Sequence, residues 1–149
     1  MEPVFQHVLV ATDGSPLADR ALALAARVGV DARITALMVV HDYGLPEYLR
    51  AALGRRPDAQ ELRAEILAEG RRLLDAALLR AVPGDACIER CVVLSDRAPS
   101  HEIAALAEHD HCDLIVMGSH GQGGRLAGLV GSQARAVLSL TTVPVMVVR

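Results

Sequence analysis

Leu114-Ile115-Val116-Met117-Gly118-Ser119-His120-Gly121-Gln122-Gly123-Gly124-Arg125, closing six residues later at Gly131-Ser132, is the stretch that decides the fold. Its first four residues are apolar with no polar alternation, the pattern of a strand buried on both faces. The strand runs directly into a glycine-rich loop, and the loop ends where a helical pattern begins at about Ser132 and continues to Leu140. A buried strand, a long loop and a helix start in that order describe the carboxyl edge of a parallel sheet covered by helices.

Working outward, the same alternation fills the chain. Val4 to Ala11 is a β-rich run broken by Thr12-Asp13-Gly14. Ser15 is a helix N-cap with Pro16 at the first helical position. Leu17, Ala21, Leu24, Ala25 and Val28 form an apolar stripe at helical spacing, ended by Gly29. Ile34 to Val40 reads as a second buried strand. Residues 42–60, with two prolines, two glycines and no clear period, read as a mobile excursion carrying a short helix around Pro46 to Leu53. Glu61 to Val82 is the longest helix, stopped by Pro83-Gly84, and Ala86 to Leu94 is a third strand. Pro99 opens a helix bearing Ile103, Leu106 and Ala107, and Val143 to Val148 is the last strand. The expected fold is α/β: a doubly wound, five-stranded parallel sheet with helices on both faces and right-handed crossovers. Without a repeat, low-complexity segment or linker, residues 1–149 are expected to form a single domain.

Composition agrees with that core. Hydrophobic residues make up 52 % of the chain, but there is one Phe, two Tyr and no Trp, so Val, Leu, Ile and Ala must fill the interior. A net charge of −3 argues against a general nucleic-acid binder, which carries a basic stripe. It does not disfavour a nucleotide, whose phosphates backbone N–H groups can hold. No signal-peptide pattern or membrane-spanning apolar run is found, so the expectation is a cytoplasmic protein without membrane contact. Three cysteines do not make a disulfide framework. Cys87 and Cys91, read as lying on one strand, would sit roughly 13 Å apart at strand rise, too far to bridge. Free thiols in a reducing compartment are the expectation.

Two loops leave carboxyl strand ends with unusual chemistry: Thr12-Asp13-Gly14-Ser15, and the loop from Gly118 to Ser132. Glycines permit close backbone approach to a ligand, and the helix start at Ser132 offers orphan N–H donors and a positive dipole end to an anion. The Ser132 hydroxyl suits either a helix cap or a phosphate oxygen. The G-x-x-x-x-G-K-[ST] phosphate loop is absent, with no Lys near, and so is the dinucleotide pattern G-x-G-x-x-G.

The chain resembles the universal stress protein family over essentially its whole length. His7-Val8-Leu9-Val10-Ala11-Thr12-Asp13-Gly14-Ser15 resembles that family's first strand and turn, and Thr142-Val143-Pro144-Val145-Met146-Val147-Val148-Arg149 its last strand. Asp113 to Gly121 is similar to the fourth strand and the start of the phosphate loop. Gly118, Gly121, Gly131 and Ser132 match the G-x2-G-x9-G-[ST] pattern of the ATP-binding branch at every position. The resemblance implies that Gly118 and Gly121 lie along ribose and phosphates, and that Gly131 and Ser132 hold the outer phosphates. It implies Asp13 near the ribose or a bound Mg²⁺ or Mn²⁺, and Val39 against adenine. Arg97 departs from the pattern, standing where the family has a glycine two residues before the helix-opening proline.

The implied function is an ATP-binding, stress-response regulatory module acting as a homodimer, coupled to its own dimer or to an unidentified protein partner. Alternatives are a slow ATPase or phosphotransferase with its metal on Asp13, and a dimeric scaffold with no nucleotide. Catalysis is disfavoured by the missing Lys and the lack of an evident base positioned for water. Several residues keep two readings. Asp13 is a turn cap or a ligand, His120 and Arg125 contact phosphate or water, and Tyr43 and Tyr48 cover adenine or pack half-exposed. His109-Asp110-His111-Cys112-Asp113 reads as a polar turn rather than a metal site. Pro144 lacks an N–H, which places the last strand at a sheet edge, and its apolar residues then call for a partner strand.

Overall fold

The computed structural model describes residues 2–41, 58–121 and 129–149. Its strands are β1 (His7–Ala11), β2 (Arg33–His41), β3 (Glu89–Ser95), β4 (Leu114–Gly118) and β5 (Val145–Val148). Helices α1 (Pro16–Val28), α2 (Ala59–Ala81), α3 (Pro99–His109) and α4 (Ser132–Leu140) alternate with them. All pairings are parallel, and the sheet order is β3-β2-β1-β4-β5. This is the α/β fold expected from the strand–helix alternation.

Strand parity builds the two halves of the core. Val8 and Val10 of β1, Ala36 and Met38 of β2, and Leu114 and Val116 of β4 face α1 and α2, where Leu22, Ala25, Leu74 and Ala77 meet them. The intervening Leu9, Leu37, Ile115 and Met117 face α3 and α4, against Ile103, Ala107, Ala134 and Val137. Strands buried on both faces need no alternation, which is why they read as continuous apolar runs. Among the described residues, no helix is long and apolar enough to cross a membrane.

Several boundaries differ from expectation, each for a local reason. β1 starts at His7 rather than Val4, which stays outside the sheet and is 86 % exposed. The stripe of α1 that reaches the core is Ala18, Ala21, Leu22 and Ala25; Leu17, Leu24 and Val28 are only half-buried on its flanks. Three alanines and Leu22 lie beneath the helix, while Leu17, Leu24 and Val28 pack at the margin of the core. β3 begins at Glu89, not Ala86, because Ala86 N–H closes a turn on the Pro83 carbonyl at 3.1 Å. Cys87 therefore precedes the strand and is exposed, while Cys91 lies on it; both are free thiols. Asp58 caps α2 through Gln60 N, two residues ahead of the expected start. β5 is an edge strand as expected, but begins after Pro144, whose carbonyl accepts from Ile115 N at 2.9 Å. Of the excursion expected at 42–60, residues 42–57, with the short helix, Tyr43 and Tyr48, lie outside the described residues, as does Arg125, while residues 58–60 instead cap and open α2.

Candidate functional site

β1 connects to β2 on one side, while β4 lies on its other side, so the order reverses between β1 and β4. Their carboxyl ends leave a crevice at that point, the place where open α/β sheets bind ligands. A cavity of about 460 Å³ occupies it, within the range of small-molecule sites.

One wall is apolar and comes from strand ends and α3: Leu37, Val39, Ile103 and Met117. The other is polar and comes from the two loops: Thr12, Asp13, Ser119, His120, Gly121 and Ser132. Gly118 and Gly131 complete it. All six residues singled out from the sequence (Asp13, Val39, Gly118, Gly121, Gly131 and Ser132) thus line one cavity, although 119 positions separate the first from the last. Thr12, Ile103 and Gln133 were not singled out. Ile103 signalled itself only as a core residue, and Thr12 only as part of a turn.

The β1–α1 turn is shaped by its own polar side chains. Thr12 Oγ1 accepts from Gly14 N at 3.1 Å, and Asp13 Oδ1 accepts from Ser15 N at 3.0 Å. Gly14 sits at φ 78°, a conformation glycine adopts without cost. Ser15 then caps α1 by accepting from Ala18 N at 3.3 Å. Arg80 of α2 braces this turn from outside, pairing with Asp19 through Nε at 2.9 Å and reaching the Gly14 carbonyl at 3.5 Å.

The opposite loop is tied more tightly. Ser119 N donates to Val148 O of β5, and Gly131 N donates to Ser119 O, both at 2.7 Å. Gly131 is the N-cap of α4, with Ser132 the first helical residue, so the Ser132 hydroxyl does not cap the helix. The N–H groups of Ser132, Gln133 and Ala134 have no intrahelical acceptor, by the geometry of any helix start. No acidic residue stands in that first turn. Gln133 reaches sideways instead, its Oε1 accepting from Ser100 N at 3.1 Å and joining the first turns of α3 and α4.

Gly118, Gly121 and Gly131 each leave space that the protein itself uses. A Cβ on Gly131 would come within 2.5 Å of Ser119 O, one on Gly118 within 3.2 Å of His120 O, and one on Gly121 would press on Asp13 Oδ2. Arg97, at the family's glycine position, is not among the left-handed residues, and its N–H donates to Ser95 Oγ at 3.0 Å.

The His109–Asp113 cluster lies before β4, at the end of the sheet away from the cavity, and is structural. The Asp113 carboxylate accepts from Gln6 N and His7 N at 2.7 and 2.9 Å, and the buried His7 ring bridges Asp110 O and Thr35 Oγ1. A hydrogen bond from His109 holds the Asp110 carboxyl below its ordinary range. Among the described residues, no group of three His, Cys, Asp or Glu could hold a metal ion. Burial pushes the Cys112 thiol up to about 11.

Comparison with known proteins places this geometry. The sequence model described as the universal stress protein family matches residues 5–149. A universal stress protein in the QAH/OAS sulfhydrylase 3′ region of Thermus aquaticus is 36% identical over 154 residues, 98% of this chain and 100% of the relative. A solved family member from Burkholderia pseudomallei is similar with a TM-score of 0.69 at 26% identity, covering 99% of this chain and 98% of its own. A universal stress protein crystallised in complex with cAMP is similar with a TM-score of 0.59 at 25% identity, with 97% of each chain covered. With nearly its full length matched by the family and by a relative of equal extent, the chain belongs to the universal stress protein family.

Proposed function

We propose that this chain is a cytoplasmic regulatory module that binds ATP with Mg²⁺ or Mn²⁺ in the crevice between β1 and β4, and that it works as a homodimer paired through β5. The observation that carries the reading is one cavity in which an apolar slot (Leu37, Val39, Ile103, Met117) meets the N-terminus of α4 and the loop glycines. An apolar slot suits a flat aromatic base, and a helix start suits phosphate. That a similar protein was crystallised with cAMP supports an adenine nucleotide as the ligand class.

No Lys or Arg stands among the described residues lining the cavity. The phosphates' charge would therefore fall to backbone donors, the α4 dipole and a divalent ion. Asp13 is the carboxylate in reach of such an ion, and Mg²⁺ is commonly held by one or two carboxylates together with phosphate oxygens. The residues present fit that arrangement, in which the ion would neutralise phosphate charge. Three free cysteines are in keeping with a reducing compartment.

The reading is tested by mass spectrometry of small molecules released on denaturing purified protein, together with titration of ATP in the presence and absence of Mg²⁺. Co-purified adenine nucleotide and saturable, Mg²⁺-dependent binding are expected. A protein that carries no nucleotide and binds none at millimolar ATP would overturn it.

A further inference from the structure

We infer that Gln133 is a positioning residue for the base end of this site: by capping α3 from the first turn of α4, it holds the Ile103 wall of the apolar slot at the spacing a flat base needs. The inference rests on the nucleotide reading above and names the residue that sets base affinity independently of the phosphates.

Neither helix start is capped by its own sequence. Ala98 and Gly131 stand at the two N-caps, and neither makes a side-chain cap bond. At the start of α3, Pro99 has no N–H, and His101 N–H takes the Ala98 carbonyl at 3.0 Å. That leaves the N–H of Ser100, a residue 1 % exposed, where a lost bond is not replaced by water. Gln133 Oε1 accepts it at 3.1 Å, reaching across from α4. The amide nitrogen would set donor against donor there, so the oxygen must face Ser100.

What this bond holds is a wall of the slot. Pro99 and Ile103 line the cavity from α3, and Ser132, Gln133 and Ala134 line it from α4. Ser100 and Ile103 are three residues apart on one helix face, so a shift of the helix start carries Ile103 with it. Across the slot, Leu37 and Met117 are buried in the sheet. The gap between the walls is therefore set by where α3 begins, and the Gln133 amide ties that start to α4. A flat ring gains dispersion from both walls only when the gap matches its thickness, because the attraction fades within about an ångström of misfit.

The experiment titrates adenosine, ATP and tripolyphosphate, each with Mg²⁺, into wild type, Gln133→Met, Gln133→Asn and Gln133→Glu, with melting curves and hydrogen exchange at the Ser100 amide on each. Methionine keeps the length of the side chain without the amide acceptor, and asparagine keeps the amide one methylene short. Glutamate keeps the acceptor but adds a negative charge at the start of α4. Gln133→Met and Gln133→Asn should speed exchange at Ser100 and weaken adenosine and ATP by the same factor, about fivefold, the scale of one neutral hydrogen bond, with tripolyphosphate unchanged. Gln133→Glu should keep slow exchange and wild-type adenosine affinity while weakening ATP and tripolyphosphate by charge repulsion. A Gln133→Met protein that binds adenosine like wild type overturns the inference, as does one that loses adenosine and tripolyphosphate alike, or a Gln133→Glu protein that loses adenosine as the methionine variant does. Wild type that binds none of the three overturns the nucleotide reading, and the base-positioning role of Gln133 with it.

Discussion

Cys112 lies buried just before β4, and its thiol is held in the protonated form by the loss of solvent around it, with the Asp110 carboxylate adding to the effect. Its folded value of about 11 stands above the ordinary value of 9.0. A raised value means the folded state keeps a proton that the unfolded state releases. The resulting stabilisation is complete below the ordinary value and is lost as pH rises through the folded one. Stability by urea unfolding should therefore fall between about pH 9 and pH 11. Cys112→Ala should flatten that fall; an equally steep fall in the variant would assign it to other groups. The loop glycines are also decided residue by residue. A methyl on Gly131 meets backbone, Ser119 O at 2.5 Å, and cannot be relieved by a rotamer change. Gly131→Ala should cost about 1–3 kcal/mol, the usual range for overpacking, and weaken binding partly through a displaced α4 cap. Among the described residues, a methyl on Gly121 meets only the carboxylate end of Asp13, which can swing aside. Gly121→Ala should change stability by no more than ~0.5 kcal/mol while altering the Mg²⁺ dependence of binding. Melting curves of the two variants side by side check the contrast.

At the scale of elements, α2 crosses close over the sheet at Gly70. A Cβ there would lie 2.7 Å from Val92 Cγ1 and 3.0 Å from Val40 Cγ1. Alanine in mid-helix gains up to about 1 kcal/mol in propensity, but both neighbours are β-branched and stiff, and overpacking costs about 1–3 kcal/mol. Gly70→Ala should therefore destabilise, and a raised melting temperature would contradict the close crossing. The elements themselves were legible in sequence because Leu114-Ile115-Val116-Met117 and Val8-Leu9-Val10-Ala11 are unbroken apolar runs, and because Ser15-Pro16 and Pro83-Gly84 punctuate the helices. The face of α1 was read in part: Ala21 and Ala25 reach the core as expected, while bulky Leu17 and Leu24 stay half-buried and Ala18 and Leu22 are buried instead. Periodicity finds apolar residues, but it does not tell whether a helix sits near enough to its sheet to prefer small ones.

For the whole molecule, the lining residues were legible from Gly118, Gly121, Gly131 and Ser132 together with Asp13 and Val39. What surrounds them was not. The Gly131–Ser119 bond, the Asp13–Gly121 approach and the Gln133–Ser100 bond join residues far apart in the chain, and no local pattern encodes them. β5 pairs with β4 on one side and has no further strand beyond it among the described residues. An apolar edge of that kind invites pairing, so sedimentation at micromolar concentration should show a dimer, and Val147→Pro, which removes a ladder donor, should shift it to monomer. A strictly monomeric wild type would contradict that assembly. The claim on which the rest depends is the nucleotide itself, and isothermal calorimetry of the wild-type protein with ATP and Mg²⁺ tests it most directly. The account predicts saturable binding of one ATP per chain that weakens when Mg²⁺ is chelated and is lowered by Ser132→Ala; no heat of binding at millimolar ATP, with or without Mg²⁺, would contradict it.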